Sequence, residues 1–520
     1  MENPKKIPLA TLFADAQLNI IAGKPGDTSI NGIAMDSRIV KPGDLFVAIK
    51  GGSVDGHDFI PDAIRRGSAA IVGQLPLNGL SVPYIQVENS RLALTWLAAA
   101  YYGNPGRKLT VIGVTGTDGK TTTCNLLYQI LLAAGMKAGL ISTVNAVIGD
   151  VVLDTGLHVT TPDAPDVQQY LARMVEAGLT HVILETTSHG WSQYRVDACE
   201  FDVGVITNIT HEHLDQHGSY ENYRAAKARL FQSLDKTRSK PQGNPRLAVL
   251  NKDDGSFAYL SSLIHGPQTS YGLDSAADIR AEGVEFSPQG IHFEAVGFGL
   301  RVPVASTLVG TFNVSNCLAA LTTAVRGLGV DPKTAAEGIA ALPGIPGRME
   351  RIALGQAFTA IVDFAHTPNA LQVAIETVRK MTGKRVIVIF GSAGLRDKQK
   401  RRMMAEVAVQ TADISILTAE DPRTESLEEI LQEMAEGARS RGGVEEKTFF
   451  RIPDRGEAIR LGVRIAQPGD TIMACGKGHE QSMGFGTIEY PWDDRTAMRA
   501  ALSERMGIKG PQMPYLPTKK

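Results

Sequence analysis

Cysteine is scarce in this chain: Cys124, Cys199, Cys317 and Cys475 are the four among 520 residues, far apart and never in a CxxC pair. That spacing indicates neither a thiolate zinc site nor a disulfide framework, and it suits a reducing compartment. A long apolar run is missing as well. The longest nearly apolar stretch, Leu92 to Tyr102, is about half of the roughly 20 residues that a helix needs to cross a bilayer. Lys5 and Lys6 precede a short apolar patch that Asp15 interrupts, and no small-residue cleavage site follows, so no signal peptide is expected. Nor does one sign of charge prevail, since 53 Lys and Arg face 55 Asp and Glu, a formal net charge of −2. Bulk charge gives no footprint for nucleic acid or an anionic membrane, and any anion has to be gripped locally. Short-period repeats and low-complexity tracts are absent too, and only the tail around Gly510 to Lys520 reads as disordered. What remains is a cytoplasmic, multi-domain globular protein, because a chain of this length exceeds a single core.

The pattern that is present is a short β-branched apolar run ending abruptly in a polar, Gly-rich or charged cluster. Leu109 to Val114 runs into TGTDGKTTT, Val182 to Leu184 into ETTSHG, and Val203 to Ile206 into TNITHEHLD. Ala360 to Val362 meets DFAHTP, Val386 to Phe390 meets GSAGLRDK, Ile414 to Leu417 meets TAEDPRTE, and Thr471 to Ala474 meets CGKGHEQ. Continuous runs of this length read as strands buried on both faces, in a mostly parallel sheet with helices on each side. In such open α/β sheets ligands bind beyond the carboxyl ends of strands. The first ~107 residues differ, with Gly and Pro turns and shorter strand candidates such as Leu45 to Ile49. Boundaries are placed near Asn104-Pro105-Gly106 and within Leu342 to Gly347, the latter after a helix expected from about Asn316 to Leu328. Three α/β domains result: 1–107, 108–342 and 343–520.

Thr115-Gly116-Thr117-Asp118-Gly119-Lys120-Thr121-Thr122-Thr123 lies between the strand ending at Val114 and a helix starting near Lys120. In such a loop the backbone N–H groups and the helix N-terminus form a concave anion site, the lysine reaches the outer phosphates, and the next hydroxyl ligates magnesium. The strict GxxxxGK[ST] spacing is not met, because Val114 stands where it needs glycine and Gly113 comes one residue early. Nucleotide-phosphate binding is the expectation, against a plain Gly-rich turn.

His211-Glu212-His213-Leu214-Asp215-Gln216-His217 packs three histidines and two acids into seven residues. A dinuclear metal hydrolase would want HxHxDH, and Gln216 breaks that spacing. A loop of satisfied polar residues is the plain alternative; beside a phosphate loop, one histidine with Glu185 can hold magnesium on a nucleotide, an ion that takes few protein ligands. Tyr220, Tyr223, Lys227, Leu230 and Phe231 recur along one apolar helix face. Lys227 on that face either snorkels to the edge or is buried, where a neutral amine can form a carbamate with carbon dioxide.

These motifs, with GTFNVSN at 310 to 316, PGRME at 346 to 350, MDSRIVKPGDLFVAIKG near the start and TTPD at 160 to 163, resemble the Mur ligase family over almost the whole chain. The resemblance implies a uridine-nucleotide domain, a central P-loop-type ATPase and a C-terminal Rossmann-like domain. It implies a monomeric, ATP- and Mg2+-dependent enzyme that adds a diamino acid to UDP-MurNAc-L-Ala-D-Glu through an acyl phosphate. Carried over residue by residue, the catalytic set is Lys120, Glu185, His213 and a carbamylated Lys227. ATP would meet Thr115, Gly116, Thr117, Asp118, Gly119, Lys120, Thr121, Thr122, Asn313, Arg348, Asp363 and His366. Magnesium falls to Thr121, Glu185, His213 and the Lys227 carbamate. The nucleotide-sugar dipeptide falls to Ser37, Thr160, Thr161, Thr187, Gln193 and Arg195, and the incoming amino acid to Arg396, Asp421, Arg423, Gly476 and Glu480.

The family's diaminopimelate enzymes typically carry DNPR where this chain has Glu420-Asp421-Pro422-Arg423. A carboxylate at 421 repels a second carboxylate and attracts a distal ammonium, which favours lysine or ornithine slightly. Arg423 argues for diaminopimelate, unless the two side chains pair with each other. A folylpolyglutamate-synthase-like ligase shares the ATPase logic but should lack the N-terminal uridine-nucleotide segment.

Overall fold

The computed structural model describes residues 6–51, 54–153, 160–210, 217–274, 276–287 and 290–518. The chain falls into two compact units: residues up to 280 with 296–300 and 315–338, and residues 281–295, 301–314 and 339–520.

In the first unit the run expected at 109–114 is the strand Thr110–Thr115, buried along its whole length. It lies parallel between His181–Glu185 and Val203–Ile206. The parallel set extends to Ala138–Ile141 on one side and through Leu247–Asn251 to Gln268–Gly272 on the other. A strand with helices on both faces has no wet side, which is why its sequence lacks alternation. Parallel neighbours also need long crossovers. Helices Lys120–Ala133, Ala164–Glu176 and Tyr220–Leu234 supply them. The helix face expected to be apolar is so: Tyr223, Lys227, Leu230 and Phe231 are all buried. Ser219 caps that helix, its side chain accepting from the Asn222 N–H at 3.2 Å.

The same unit carries a smaller sheet in the order Ile20–Ala22, Tyr84–Val87, Ala70–Gly73, Asp44–Val47, Gly32–Ala34, parallel except at the first, edge strand. Leu45 and Val47 pack with the helices Leu9–Ala16 and Ser90–Tyr101, while Phe46 and Ala48 pack with Ile60 and Ala63. Successive residues of one strand thus serve two cores.

The second unit repeats this logic. Its six-stranded sheet runs Glu350–Arg351, Thr359–Asp363, Thr471–Cys475, Val386–Phe390, Ile414–Leu417, Phe449–Arg451, antiparallel only at the first pair. Val386, Val388 and Phe390 face one core and Ile387 and Ile389 the other. Two expectations change. The helix expected from 316 begins at Thr311, because its first turn, Thr-Phe-Asn-Val, alternates polar and apolar and so hides the helical period, and it ends in a π turn at Thr323–Gly327. The tail expected to be disordered docks through residue 518: Leu516 is buried in this unit's core and Thr518 bonds Asp454.

One buried pair ties two strand ends together in this unit. Arg455 meets Asp494 through Nε at 2.7 Å and Nη2 at 2.6 Å, and the same guanidinium donates to the carbonyls of Ala419 at 3.2 Å and Cys475 at 2.8 Å. Neither side chain is exposed. Asp494→Ala leaves a buried guanidinium uncompensated and should lower the unfolding free energy by about 3–5 kcal/mol. A denaturant midpoint equal to the wild type's would refute this.

Candidate active site

Three parallel strands of the first unit end side by side, so the segments that follow Thr115, Glu185 and Ile206 meet. Gly119 turns the loop into the helix with φ of +81°, and a Cβ there would overlap Asn316 Oδ1. No side chain caps the helix Lys120–Ala133. Its first-turn N–H groups and the positive end of its dipole are thereby presented at the loop, the arrangement that binds an oxyanion. The loop amides themselves are partly spent: Thr117 N–H donates to the Asn208 carbonyl at 2.8 Å and Asp118 N–H to Asn208 Oδ1 at 2.9 Å. Thr207 Oγ1 closes the clamp on the Asp118 carbonyl at 2.6 Å. The expected anion cradle therefore narrows to the helix end. Asn208 and Thr207 escaped sequence reasoning, although their TN pair directly follows a strand end.

Lys120 folds back over the loop, its Nζ donating to the Thr117 carbonyl at 2.7 Å. Glu185 is 1% exposed and receives three donors: Thr121 Oγ1 at 3.0 Å, Thr143 N–H at 2.9 Å and Thr143 Oγ1 at 2.8 Å. Thr122 is buried beside Thr121. Lys227 is buried rather than snorkelling, at 2% exposure. Its Nζ donates to the Gly116 carbonyl at 2.5 Å and lies 4.5 Å from the centre of the Tyr223 ring. Tyr223 OH reaches Thr117 Oγ1 at 3.0 Å. His213 lies outside the described residues; His217, next along, meets Ser188 Oγ at 3.1 Å.

Thr161 and Thr187 border this cluster. Thr161 Oγ1 donates to the Glu185 carbonyl at 3.2 Å, and Thr187 caps the short helix Ser188–Ser192 through Gly190 N–H at 2.9 Å. Thr160 precedes Thr161 in the same bend. Arg195 bonds the Thr161 carbonyl at 2.6 Å and Gln193 Oε1 at 3.0 and 2.7 Å. Ser37 is buried in the turn that Asp36 caps, two residues after Met35, which shares a cleft with Gln193 and Arg195.

In the second unit Asp363 ends its strand with Oδ2 accepting Met349 N–H at 2.6 Å and Oδ1 accepting Ala365 N–H at 2.9 Å. Burial raises its carboxyl pKa, against the Arg348 guanidinium. Arg348 stacks 4.3 Å from the Phe364 ring centre, with His366 and His479 at 4.6 and 5.0 Å. Asn313 Nδ2 holds the Val309 carbonyl at 2.7 Å, and Arg396 is exposed on the loop after Phe390.

Asp421 and Arg423, both with positive φ, do not pair with each other. Asp421 instead takes buried Lys477 Nζ on both oxygens at 3.0 Å and Gly484 N–H at 2.9 Å. Lys477 also meets Glu480 at 2.6 Å. Arg423 donates to the Gly394 carbonyl at 3.3 Å. Lys477 sits inside GKGHE and Glu420 inside EDPRTE, and neither is marked by spacing or charge in the sequence. Burial pushes the Glu420 carboxyl up to about 7 against Lys400, Arg455 and Lys477. Gly476, with φ of +111°, leaves room for that carboxyl, since a Cβ would strike Glu420 Oε2.

Burial, with Lys400 adding to it, drops the His366 pKa from 6.5 to about 3. The folded chain keeps this imidazole neutral where the unfolded chain protonates it, so its contribution to stability is present above 6.5 and lost as pH falls toward 3. His366→Gln should flatten the fall of unfolding free energy between those values by one proton, about 1.4 kcal/mol per pH unit. Parallel pH profiles for variant and wild type would refute it.

Three family models match the chain in succession: the Mur ligase family catalytic domain over residues 29–102, the Mur ligase middle domain over 114–324, and the Mur ligase glutamate ligase domain over 347–478. The chain is 42% identical over 480 residues to the UDP-N-acetylmuramoyl-L-alanyl-D-glutamate–2,6-diaminopimelate ligase of Geobacillus thermodenitrificans, covering 92% of this chain and 96% of that protein. With the UDP-N-acetylmuramyl-tripeptide synthetase of Deinococcus radiodurans it shares 41% over 484 residues, again 92% and 96% of the two chains. A solved UDP-N-acetylmuramoyl-L-alanyl-D-glutamate–2,6-diaminopimelate ligase matches with a TM-score of 0.67 at 28% identity, covering 96% of this chain and all of that one. A folylpolyglutamate synthase of Mycobacterium tuberculosis shares the fold at a TM-score of 0.61 and 16% identity. On sequence identity across nine-tenths of its length, the chain belongs to the Mur ligase family.

Proposed function

We propose that this chain is an ATP-dependent, ADP-forming ligase that joins a diamino acid to the D-glutamyl γ-carboxylate of UDP-MurNAc-L-Ala-D-Glu. The observation that carries the reading is the uncapped helix end beside Lys120, with the Thr121 hydroxyl held on the buried Glu185 carboxylate. Support comes from the relatives, which are named for this tripeptide-forming step. Residues 1–107, 108–342 and 343–520 would serve the uridine nucleotide, ATP and the amino acid, a division that the three successive family matches favour.

The reaction needs the γ-phosphoryl group of ATP moved to the carboxylate oxygen with ADP leaving, then amine attack on the carbonyl carbon with phosphate leaving and the amine losing a proton. Transfer of this kind depends on alignment and charge neutralisation. Lys120 would exchange the Thr117 carbonyl for the outer phosphates of ATP. Oxygen donors from Thr121 and Glu185 fit magnesium, which supplies charge neutralisation when bound; His213 and a carbamate on Lys227 complete the proposed set. Arg348, Asp363, His366 and Asn313 would hold the nucleotide. Thr160, Thr161, Thr187, Gln193, Arg195 and Ser37 would orient the sugar-peptide. The enzyme is proposed to work as a cytoplasmic monomer.

A carboxylate at 421 favours lysine or ornithine as acceptor. A second reading has its own observation: Lys477 compensates Asp421, so a second carboxylate meets less repulsion, and the Arg423 guanidinium suits it. That reading is diaminopimelate, as in the Geobacillus relative's name. An ADP-release assay with UDP-MurNAc-L-Ala-D-Glu and lysine, ornithine or meso-diaminopimelate decides between them. Lys120→Ala should abolish turnover with every acceptor, and near-normal turnover would sink the ligase reading. Lys227→Ala should lose activity and regain part of it with added short carboxylic acids; no recovery would refute the carbamate.

A further inference from the structure

A narrow cleft in the first unit is lined by Met35, Ile49, Arg91, Asp163, Gln193 and Arg195 among others. No motif drew attention to Arg91. It is the second residue of the helix Ser90–Tyr101 and is half-buried, with its side chain on the cleft rather than in open water.

The two guanidinium groups of this cleft are spent very differently. Arg195 uses Nε and Nη2 on Gln193 Oε1 and Nη1 on the Thr161 carbonyl, and its Nε lies 3.1 Å from Asp163. Among the described residues the Arg91 guanidinium makes one hydrogen bond, from Nη2 to the Lys50 carbonyl at 3.3 Å. A guanidinium has five donors, so most of this one's are left to water or a ligand at the cleft.

The charges do not balance either. Asp163 faces both arginines, while Asp166, outside the cleft lining, acts on Arg195 and not on Arg91, which is left to share one carboxylate. Burial and the like charge of Arg195 both push the Arg91 pKa down, and Asp163 opposes them. Two cations against one lining carboxylate, with donors to spare, is an arrangement that an incoming oxyanion completes.

We propose that Arg91 is a substrate-binding residue that takes an oxyanion of the sugar-nucleotide peptide, a phosphate or a carboxylate, across the cleft from Gln193 and Arg195. The inference rests on the ligase reading and adds a residue that the family resemblance did not supply. A planar fork is what such recognition needs, so lysine should replace arginine only in part.

The test is steady-state kinetics of the full-length Arg91→Ala and Arg91→Lys variants. Arg91→Ala should raise KM for UDP-MurNAc-L-Ala-D-Glu about tenfold, the loss of one charge-assisted contact. The kcat and the KM values for ATP and the amino acid should stay within about twofold, and Arg91→Lys should recover part of the loss. Calorimetric titration with UDP and with nucleotide-free MurNAc-L-Ala-D-Glu separates the sources: weakened UDP binding assigns a phosphate, and weakened peptide binding a carboxylate. Unchanged KM and unchanged binding of both probes overturn the proposal. So does a fall in kcat with all three substrates alongside a lower melting temperature, which marks a structural role. A wild-type enzyme that does not turn the substrate over sinks the ligase reading instead, and the UDP titration then judges Arg91 independently.

Discussion

Strand Thr110–Thr115 is buried on both faces, so no polar group can leave it except at its ends, and the chemistry of the first unit is confined to one rim. Its parallel neighbours His181–Glu185 and Val203–Ile206 share the constraint and deliver Glu185 and Asn208 to the same rim. A carboxylate there is tolerated because three neutral donors from Thr121 and Thr143 satisfy it. The helix end, the loop lysine and the buried amine of Lys227 follow from that placement: each is held where the sheet stops and the backbone is free to turn.

The second unit meets the same constraint with charge. Lys477 carries no exposure, yet Glu480 and Asp421 hold its pKa above the ordinary value against the effect of burial. The bidentate contact fixes Asp421 and, through Gly484 N–H, the hairpin strand Ser482–Phe485. Arg455 does comparable work behind it on the carbonyls of Ala419 and Cys475. The buried ions in this unit thus tie loops to strand ends, and a carboxylate that looks free in the sequence already has its counter-ion.

Much of this was legible in the sequence, because the signals were local. The strands Val203–Ile206, Val386–Phe390 and Ile414–Leu417 carry the bounds that the β-branched runs indicate, and the phosphate loop and the buried face around Lys227 stand where spacing places them. What escaped was tertiary. Nothing near Thr117 announces that Asn208 takes its amide, and nothing near Asp421 announces Lys477, 56 positions away. Arg91 reads as an ordinary first-turn residue until Arg195 and Asp163 are brought beside it. The docked tail is the opposite error: a Pro-rich composition suggested disorder, and one buried leucine, Leu516, outweighs it.

The clamp of Asn208 on the loop has a thermodynamic meaning. Two amides and a carbonyl of Thr117 and Asp118 are bonded within the chain itself, so the turn leading into the Lys120 helix is shaped by the protein's own contacts. Ordering a flexible loop costs about 1–2 kcal/mol per residue fixed, and here that cost belongs to folding instead of binding. The helix end can therefore spend its attraction on affinity, and what remains to move on binding is a side chain, Lys120, rather than a backbone.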